Sequence, residues 1–288
     1  MRNLFLAMRP RQWVKNLFIF LPLIFGKKLF VFPENINTLF AFFLFSMASS
    51  SSYLINDIID LEKDRFHPVK RLRMLASGKI MVKTALILSC ILAAVSAIGS
   101  FALNPQLSLL MLAYLAGNIL YSRYLKTIVI IDVFCLAGFF VLRIMAGTLT
   151  ATVEFSYWMI FMIALLALFL GFSKRRMDLK LLKEDARVSR SVLAKYNLYF
   201  IDQMVAVLTS SIVVVYMLYT VSDRTVALFG STKLIYTVPF VYYGIFRYLY
   251  MIHKIGAMED PTKILFKDKI MALNIVLWIL VCAVIIYL

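Results

Sequence analysis

Residues 56–73 read NDIIDLEKDRFHPVKRLR: four acidic side chains, Asp57, Asp60, Glu62 and Asp64, followed by Arg65, His67, Lys70, Arg71 and Arg73. On a helix, Asp57, Asp60 and Asp64 fall at i, i+3 and i+7 and share one face, about 10 Å from end to end, with Asn56 adjoining. The run before them, LFAFFLFSMASSSSYLI, is apolar enough for a bilayer. The carboxylates therefore stand at the C-terminal end of a hydrophobic helix, where the macrodipole disfavours anions. Clustered there, they repel one another unless something positive binds. A hard divalent cation with oxygen ligands, most simply Mg2+, suits them, because it keeps waters and bridges carboxylates to phosphates. His67-Pro68 is expected to end the helix. Lys70, Arg71 and Arg73 then supply charge that metal ligands do not need and that suits phosphate oxygens. The plainer alternative is a set of interfacial charges pairing with each other and with lipid headgroups. One-face acidic spacing joined to a basic tract favours aspartates, Mg2+ and a diphosphate.

The elements that must position these residues are membrane spans. The chain has 288 residues, 62% hydrophobic and only 16% charged, with several runs of bilayer length. Polar breaks divide it into nine candidate spans, roughly 13–32, 36–55, 80–103, 107–124, 128–150, 155–172, 198–220, 233–252 and 268–288. The first has a basic lead but no small-residue cleavage site after it, and reads as a retained helix. Cys90, Cys135 and Cys282 lie singly in apolar runs, with no metal spacing or disulfide framework.

Basic residues set the orientation. Of the 31 Lys and Arg residues, all but Lys27, Lys28, Arg143, Arg224 and Lys233 fall at the N-terminus or in the even-to-odd connections. That asymmetry places the N-terminus in the cytoplasm and the C-terminus outside. Both long polar loops, 56–79 and 173–197, then face the cytoplasm and would cap one site. The net charge of +16 lies between spans, not on a soluble face. It points to anionic lipid or an anionic substrate and away from nucleic acid. A transporter would concentrate polar groups near the midplane. Here the ionisable residues gather at one face, apart from Arg143.

The residues Asn56-Asp57-x-x-Asp60-x-x-x-Asp64 resemble the first aspartate-rich motif of the UbiA-type membrane prenyltransferase superfamily. The resemblance implies an all-α fold, a bundle of nine transmembrane helices around a central cavity open to the cytoplasm, forming one domain over residues 1–288. It also implies Mg2+ held on a diphosphate by Asp57, Asp60 and Asp64. Most members carry a second motif, DxxxD, after helix 6. Here GFSKRRMDLKLLKEDARVSRS, residues 171–191, puts Lys174, Arg175 and Arg176 in its place, and Glu184-Asp185 follow at the wrong spacing. More fixed positive charge suits a more anionic pair of substrates.

A narrower resemblance runs over essentially the whole chain. RPRQWVKN (9–16), HPVKRLRMLASG (67–78), YSRYLK (121–126) with Asp132, FVLRIMAG (140–147), SKRRMDL (173–179), YTVPFVYYGIFRYLY (236–250) and DPTKILFKDK (260–269) are similar to the decaprenyl-phosphate phosphoribosyltransferase branch. Met74 departs from that branch's usual Pro, and Asp178 from its usual Glu. The implied reaction is transfer of phosphoribose from phosphoribosyl pyrophosphate to a polyprenyl phosphate whose tail lies among the helices. The ordinary alternative is prenylation of an aromatic acceptor by an isoprenoid diphosphate.

The resemblance implies roles by position. Asp57, Asp60 and Asp64, with Lys174, form the catalytic set, and Asn56 is a neighbouring polar ligand. Arg65, Lys70, Arg71, Arg73, Arg175 and Arg176 are phosphate contacts, with headgroup contact or topology signalling as the alternative for any one of them. Lys15, beside Arg11, Gln12 and Asn16, reaches the cavity or snorkels to headgroups. Tyr121, Lys126 and Asp132 are placed for phosphate or ribose hydroxyls. His67 bonds a phosphate or structures its loop. Asp132 and Arg143 share a helix face, and a structural partner on another helix is the favoured role for Arg143. Arg247 and Asp268 are further candidates. Apolar surface facing lipid reads the same as surface facing a second copy, so a homo-oligomer stays open.

Overall fold

The computed structural model describes residues 2–67, 69–184, 192–254 and 268–287. Pro68, Asp185 and the expected site-cap residues 186–191 fall outside them, as does most of the DPTKILFKDK stretch. Every regular element among the described residues is a helix. The chain divides into two compact units, Met1–Phe155 and Ser156–Leu288.

The first unit holds α1 (Arg2–Ala7), a 3-10 segment (Pro10–Phe20), α2 (Leu21–Phe25), α3 (Glu34–Ile59), α4 (Leu61–Phe66), α5 (Val82–Leu103), α6 (Pro105–Arg123) and α7 (Ile131–Thr150). The boundary between α5 and α6 is written in Asn104-Pro105. The Asn104 side chain accepts the Gln106 backbone N–H at 2.7 Å, and Pro105 occupies the first helical position, where no N–H is needed. The second unit holds α8 (Tyr157–Glu184), α9 (Leu198–Val221), α10 (Asp223–Phe229), α11 (Val238–Lys254) and α12 (Lys269–Tyr287). Asn197 caps α9 by accepting the Phe200 N–H at 2.6 Å.

Among the described residues six helices are long and apolar enough to cross a membrane: α3, α5, α7, α8, α9 and α12. The chain is thus a multi-pass helical membrane protein. The other three expected spans take different forms. The first is not one α-helix but the 3-10 segment followed by α2. Pro10 opens it and Pro22, which has no N–H to donate, interrupts it. The fourth, α6, is long enough but diluted by Gln106, Ser108 and Asn118. The eighth begins as a 3-10 turn, Lys233–Thr237, and reaches only 17 residues as α11. The expected loop 173–197 also differs, because α8 runs on to Glu184 and carries Lys174, Arg175 and Arg176 on a helix.

In the first unit α3 packs against the 3-10 segment, α5, α6 and α7. Its five buried serines explain how closely. Ser51 Oγ donates to the Ser89 carbonyl at 2.9 Å and Ser89 Oγ returns to the Ser51 carbonyl at 3.1 Å, joining α3 to α5. Small hydroxyl residues let helix backbones approach where the hydrophobic effect does not distinguish helix from lipid. Gly147 permits a still closer approach: a Cβ there would lie 2.0 Å from the Ile19 carbonyl oxygen of the 3-10 segment. Ile19, Phe45, Leu107, Met111, Tyr114 and Ala146 fill the core between these elements. In the second unit Tyr216 of α9 is a hub. Its hydroxyl lies 2.6 Å from Thr237 Oγ1 and accepts the Trp278 indole N–H at 3.0 Å, tying α9, the 3-10 turn and α12 together.

Candidate active site

The three aspartates occupy consecutive turns at the C-terminal end of α3 and in α4. Asp57 lies in the last turn of α3, Asp60 at the joint, and Asp64 within α4. Helical hydrogen bonding crosses the joint: the Asp60 N–H donates to Asn56 O at 2.9 Å and the Asp64 N–H to Asp60 O at 2.8 Å. Helical spacing thus carries across the joint, although Asp60 itself leaves helical geometry at φ −93° and ψ 6°. Asp57 and Asp64 are buried, and Asp60 is half-buried.

Each carboxylate is answered by a cation from a different element. Arg73 Nη1 donates to Asp57 Oδ1 at 3.1 Å and to Asp64 Oδ2 at 2.5 Å. Arg9 also donates to Asp57 Oδ1. Lys126 Nζ contacts Asp60 Oδ1 at 2.6 Å. These cations offset both carboxylate repulsion and the unfavourable helix end. Arg73 is delivered by the loop fold after α4. His67 accepts backbone N–H groups of Val69 and Lys70 through Nδ1, each at 3.2 Å, which makes it a loop-structuring residue. Lys126 arrives on the 3-10 turn Leu125–Thr127.

Arg9 arrives by backbone geometry. It has φ 54° and ψ 57°, a left-handed conformation that turns the chain from α1 into the 3-10 segment. Its guanidinium lies 5.1 Å from the Tyr53 ring centroid. The segment after it is laced to the serine face of α3. Trp13 Nε1 donates to Ser50 Oγ at 3.0 Å, Ser50 Oγ to Met8 O at 2.9 Å, and Asn16 Nδ2 to Ser46 Oγ at 3.0 Å. Below this lacing sits buried Arg143. Its Nε donates to Asn16 Oδ1 at 2.7 Å, Nη2 to the Tyr114 hydroxyl at 3.0 Å, and Nη1 to Phe139 O at 2.6 Å. The structural role favoured for Arg143 is the one it plays.

The other expected residues of this unit differ in exposure. Arg65 and Arg71 are exposed. Tyr121 packs edge-on against Phe139, ring centroids 6.1 Å apart. Lys15, Asn56 and Lys70 are half-buried nearby in sequence. Two site features escaped sequence reasoning: Arg9, and the Asn16–Arg143 network that fixes its segment. RPRQWVKN shows a cation before Pro at a helix start, but not the left-handed backbone that aims Arg9 at Asp57.

In the second unit Arg175 and Arg176 are buried in α8 and Lys174 is half-buried. Arg176 Nε contacts Asp202 Oδ1 of α9 at 2.5 Å, and Nη1 donates to Ile252 O of α11 at 3.2 Å. Arg176, expected as a phosphate contact, thereby joins three helices. Arg175 Nη1 lies 3.3 Å from Asp178 Oδ2, which accounts for a carboxylate at that position. Arg247 Nη2 pairs with Asp268 Oδ2 at 2.7 Å, between α11 and the start of α12. The Arg247 hydrogen bond, helped by the Met271 backbone N–H, holds the Asp268 carboxyl below the usual carboxylate range despite partial desolvation.

A divalent metal fits the first-unit cluster by the chemistry of its donors. Asp57 Oδ1 and Asp64 Oδ2 converge on one guanidinium nitrogen, two hard oxygens around a single cationic position. Among the described residues no three His, Cys, Asp or Glu side chains converge as a metal cluster. The expected trio is therefore two plus one, with Asp60 turned to Lys126.

The UbiA prenyltransferase family matches residues 19–286 of the chain. The chain is 31% identical over 289 residues to the decaprenyl-phosphate phosphoribosyltransferase of Mycolicibacterium smegmatis, covering 95% of this chain and 89% of that protein. It is 29% identical over 277 residues to the protein of the same name from Mycobacterium tuberculosis, covering 95% and 90%. Its fold is similar to a UbiA homologue from Archaeoglobus fulgidus, whose structure is described as bound to GPP and Mg2+. That comparison has a TM-score of 0.73 at 18% identity, covering 99% of this chain and 100% of that one.

Proposed function

The chain belongs to the UbiA prenyltransferase family and is a membrane transferase, and on that premise we propose that it moves phosphoribose from phosphoribosyl pyrophosphate to a polyprenyl phosphate. Support comes from relatives named for that activity over nearly the full length of the chain. The observation that carries the choice of donor is the run Lys174-Arg175-Arg176, cationic where the resembled superfamily carries its second acidic pair. In this reading residues 1–288 serve as one transmembrane domain of nine spans in the cytoplasmic membrane. The N-terminus, both polar loops and a central cavity face the cytoplasm.

In this reaction a lipid phosphate oxygen attacks the anomeric carbon of the ribose. The bond from that carbon to pyrophosphate breaks, and pyrophosphate leaves with the electron pair. The nucleophile is already ionised at neutral pH, since a phosphate monoester loses its second proton near about pH 6, so no strong general base is needed. Asp57 and Asp64, with Asp60 one turn from each, would hold Mg2+. When bound, the ion neutralises charge developing on the leaving pyrophosphate. Arg73, at the carboxylate cluster, is placed to donate to pyrophosphate oxygens, and Arg9 and Lys126 add to the same field. Lys174 contacts a substrate phosphate. Catalysis is mainly positioning and electrostatic stabilisation.

The test sets two donors side by side. Purified protein in detergent with Mg2+ receives radiolabelled phosphoribosyl pyrophosphate plus polyprenyl phosphate, or labelled isoprenoid diphosphate plus a hydroxybenzoate. The proposal requires lipid-soluble label from the first pair only. Aromatic prenylation with no phosphoribosyl transfer would reverse it. The first-unit carboxylates would then serve a lipid diphosphate.

A further inference from the structure

Loop 60–81 is pinned at both ends to the bilayer, because α3 enters it from one span and α5 leaves it into the next, and those spans are hydrogen-bonded through Ser51 and Ser89. Within it the basic tract divides. Arg73 turns inward to Asp57 and Asp64. Elsewhere the loop exposes Phe66 at 84%, Val69 at 70% and Leu72 at 69%. These three recur at i, i+3 and i+6; exposed Glu62, Lys63 and Arg65 come just before them, and exposed Arg71 lies between Val69 and Leu72. Apolar side chains exposed in the spans face lipid and need no further explanation. Large ones outside the spans, in a loop otherwise rich in charge, do; Met81, also exposed, directly precedes α5 and falls outside this group.

We propose that this face is a membrane-docking surface, with Phe66, Val69 and Leu72 inserted at the interface of a leaflet rich in anionic lipid and Lys63, Arg65 and Arg71 on its headgroups. The argument is one of complementarity. Apolar anchors flanked by cations are what an anionic interface selects, since burial of the anchors and attraction of the cations act together. The location supplies the rest: α4 begins two residues beyond the end of a span, so the anchors are within reach of the headgroup layer without any displacement of α3. Docking would hold the loop so that Arg73 keeps facing the carboxylates. The inference concerns the outer side of the loop and does not depend on which donor the enzyme uses.

The experiment places an environment-sensitive fluorophore at Val69→Cys in the full chain, with Cys90, Cys135 and Cys282 replaced by serine or alanine. The protein is reconstituted in vesicles of phosphatidylcholine alone and of phosphatidylcholine with phosphatidylglycerol. The expected result is a blue-shifted label, quenched by shallow spin-labelled lipids and shielded from iodide, with a larger shift in the anionic vesicles. A label at Lys79→Cys, in the same loop but away from the triad, reports whether the loop itself is folded. Free access of iodide to position 69 would overturn the proposal, as would identical quenching in both vesicle types or shielding from lipid and iodide alike by another part of the protein.

Discussion

Arg73 is the side chain on which the site turns. One guanidinium nitrogen bridges two buried carboxylates from consecutive helices, so its removal strips both of their shared counter-charge. Arg73→Ala is expected to lower transfer by about 10²-fold or more, the scale of losing one preorganised charge-stabilising donor. Arg73→Lys should recover little, because a point charge does not reproduce a planar fork; steady-state rates of the two variants check this. In the second unit the Arg247–Asp268 pair makes a pH prediction. The folded Asp268 has its pKa lowered, chiefly by Arg247. Its contribution to stability is therefore complete above the unfolded value of about 3.9 and is lost as pH falls through the lower folded value. Thermal unfolding followed through acid should show this loss in the wild type and its absence in Asp268→Asn.

The elements bring these side chains together through close helix contacts, and the glycines grade them. A Cβ at Gly147 would meet the Ile19 backbone carbonyl, whereas one at Gly99 would meet the tip of the Leu44 side chain at 2.6 Å. Backbone cannot yield as a leucine methyl can. Gly147→Ala should cost at least about 1–3 kcal/mol and displace the 3-10 segment that carries Arg9, while Gly99→Ala should cost less. Unfolding in detergent, with transfer measured on the same samples, separates the two. Asn16→Ala acts on the same segment by leaving Arg143 Nε without its acceptor, at a cost of about 1–3 kcal/mol. The spans themselves were legible in the sequence: 80–103 is found at Val82–Leu103 and 128–150 at Ile131–Thr150. Periodicity also placed Asp57, Asp60 and Asp64 on one face. The 3-10 segment was not legible, because its form depends on Trp13 meeting Ser50 and Asn16 meeting Ser46, across 37 and 30 residues. Arg9 was hidden for the same reason. Its reach depends on a left-handed backbone at a non-glycine residue, which composition does not signal. Arg176 was read as a phosphate contact because nothing local announces Asp202 or Ile252 O as its partners.

At the scale of the molecule, the asymmetric distribution of Lys and Arg between connections governs how the chain enters the membrane. It predicts that reporter fusions at the two termini will fall on opposite sides, with the N-terminus and loop 60–81 cytoplasmic. The proposed chemistry calls for a membrane scaffold that holds carboxylates and cations together, as the first unit does at Asp57, Asp60 and Asp64. The most direct test of that account uses phosphoribosyl pyrophosphate labelled in two positions, at the 5-phosphate and at the terminal phosphate of the pyrophosphate, with polyprenyl phosphate and Mg2+. The 5-phosphate label should enter the lipid fraction while the pyrophosphate label stays aqueous, and Asp64→Asn should abolish both the transfer and the pyrophosphate release. Pyrophosphate label entering the lipid, or 5-phosphate transfer that survives Asp64→Asn and metal chelation, would contradict it.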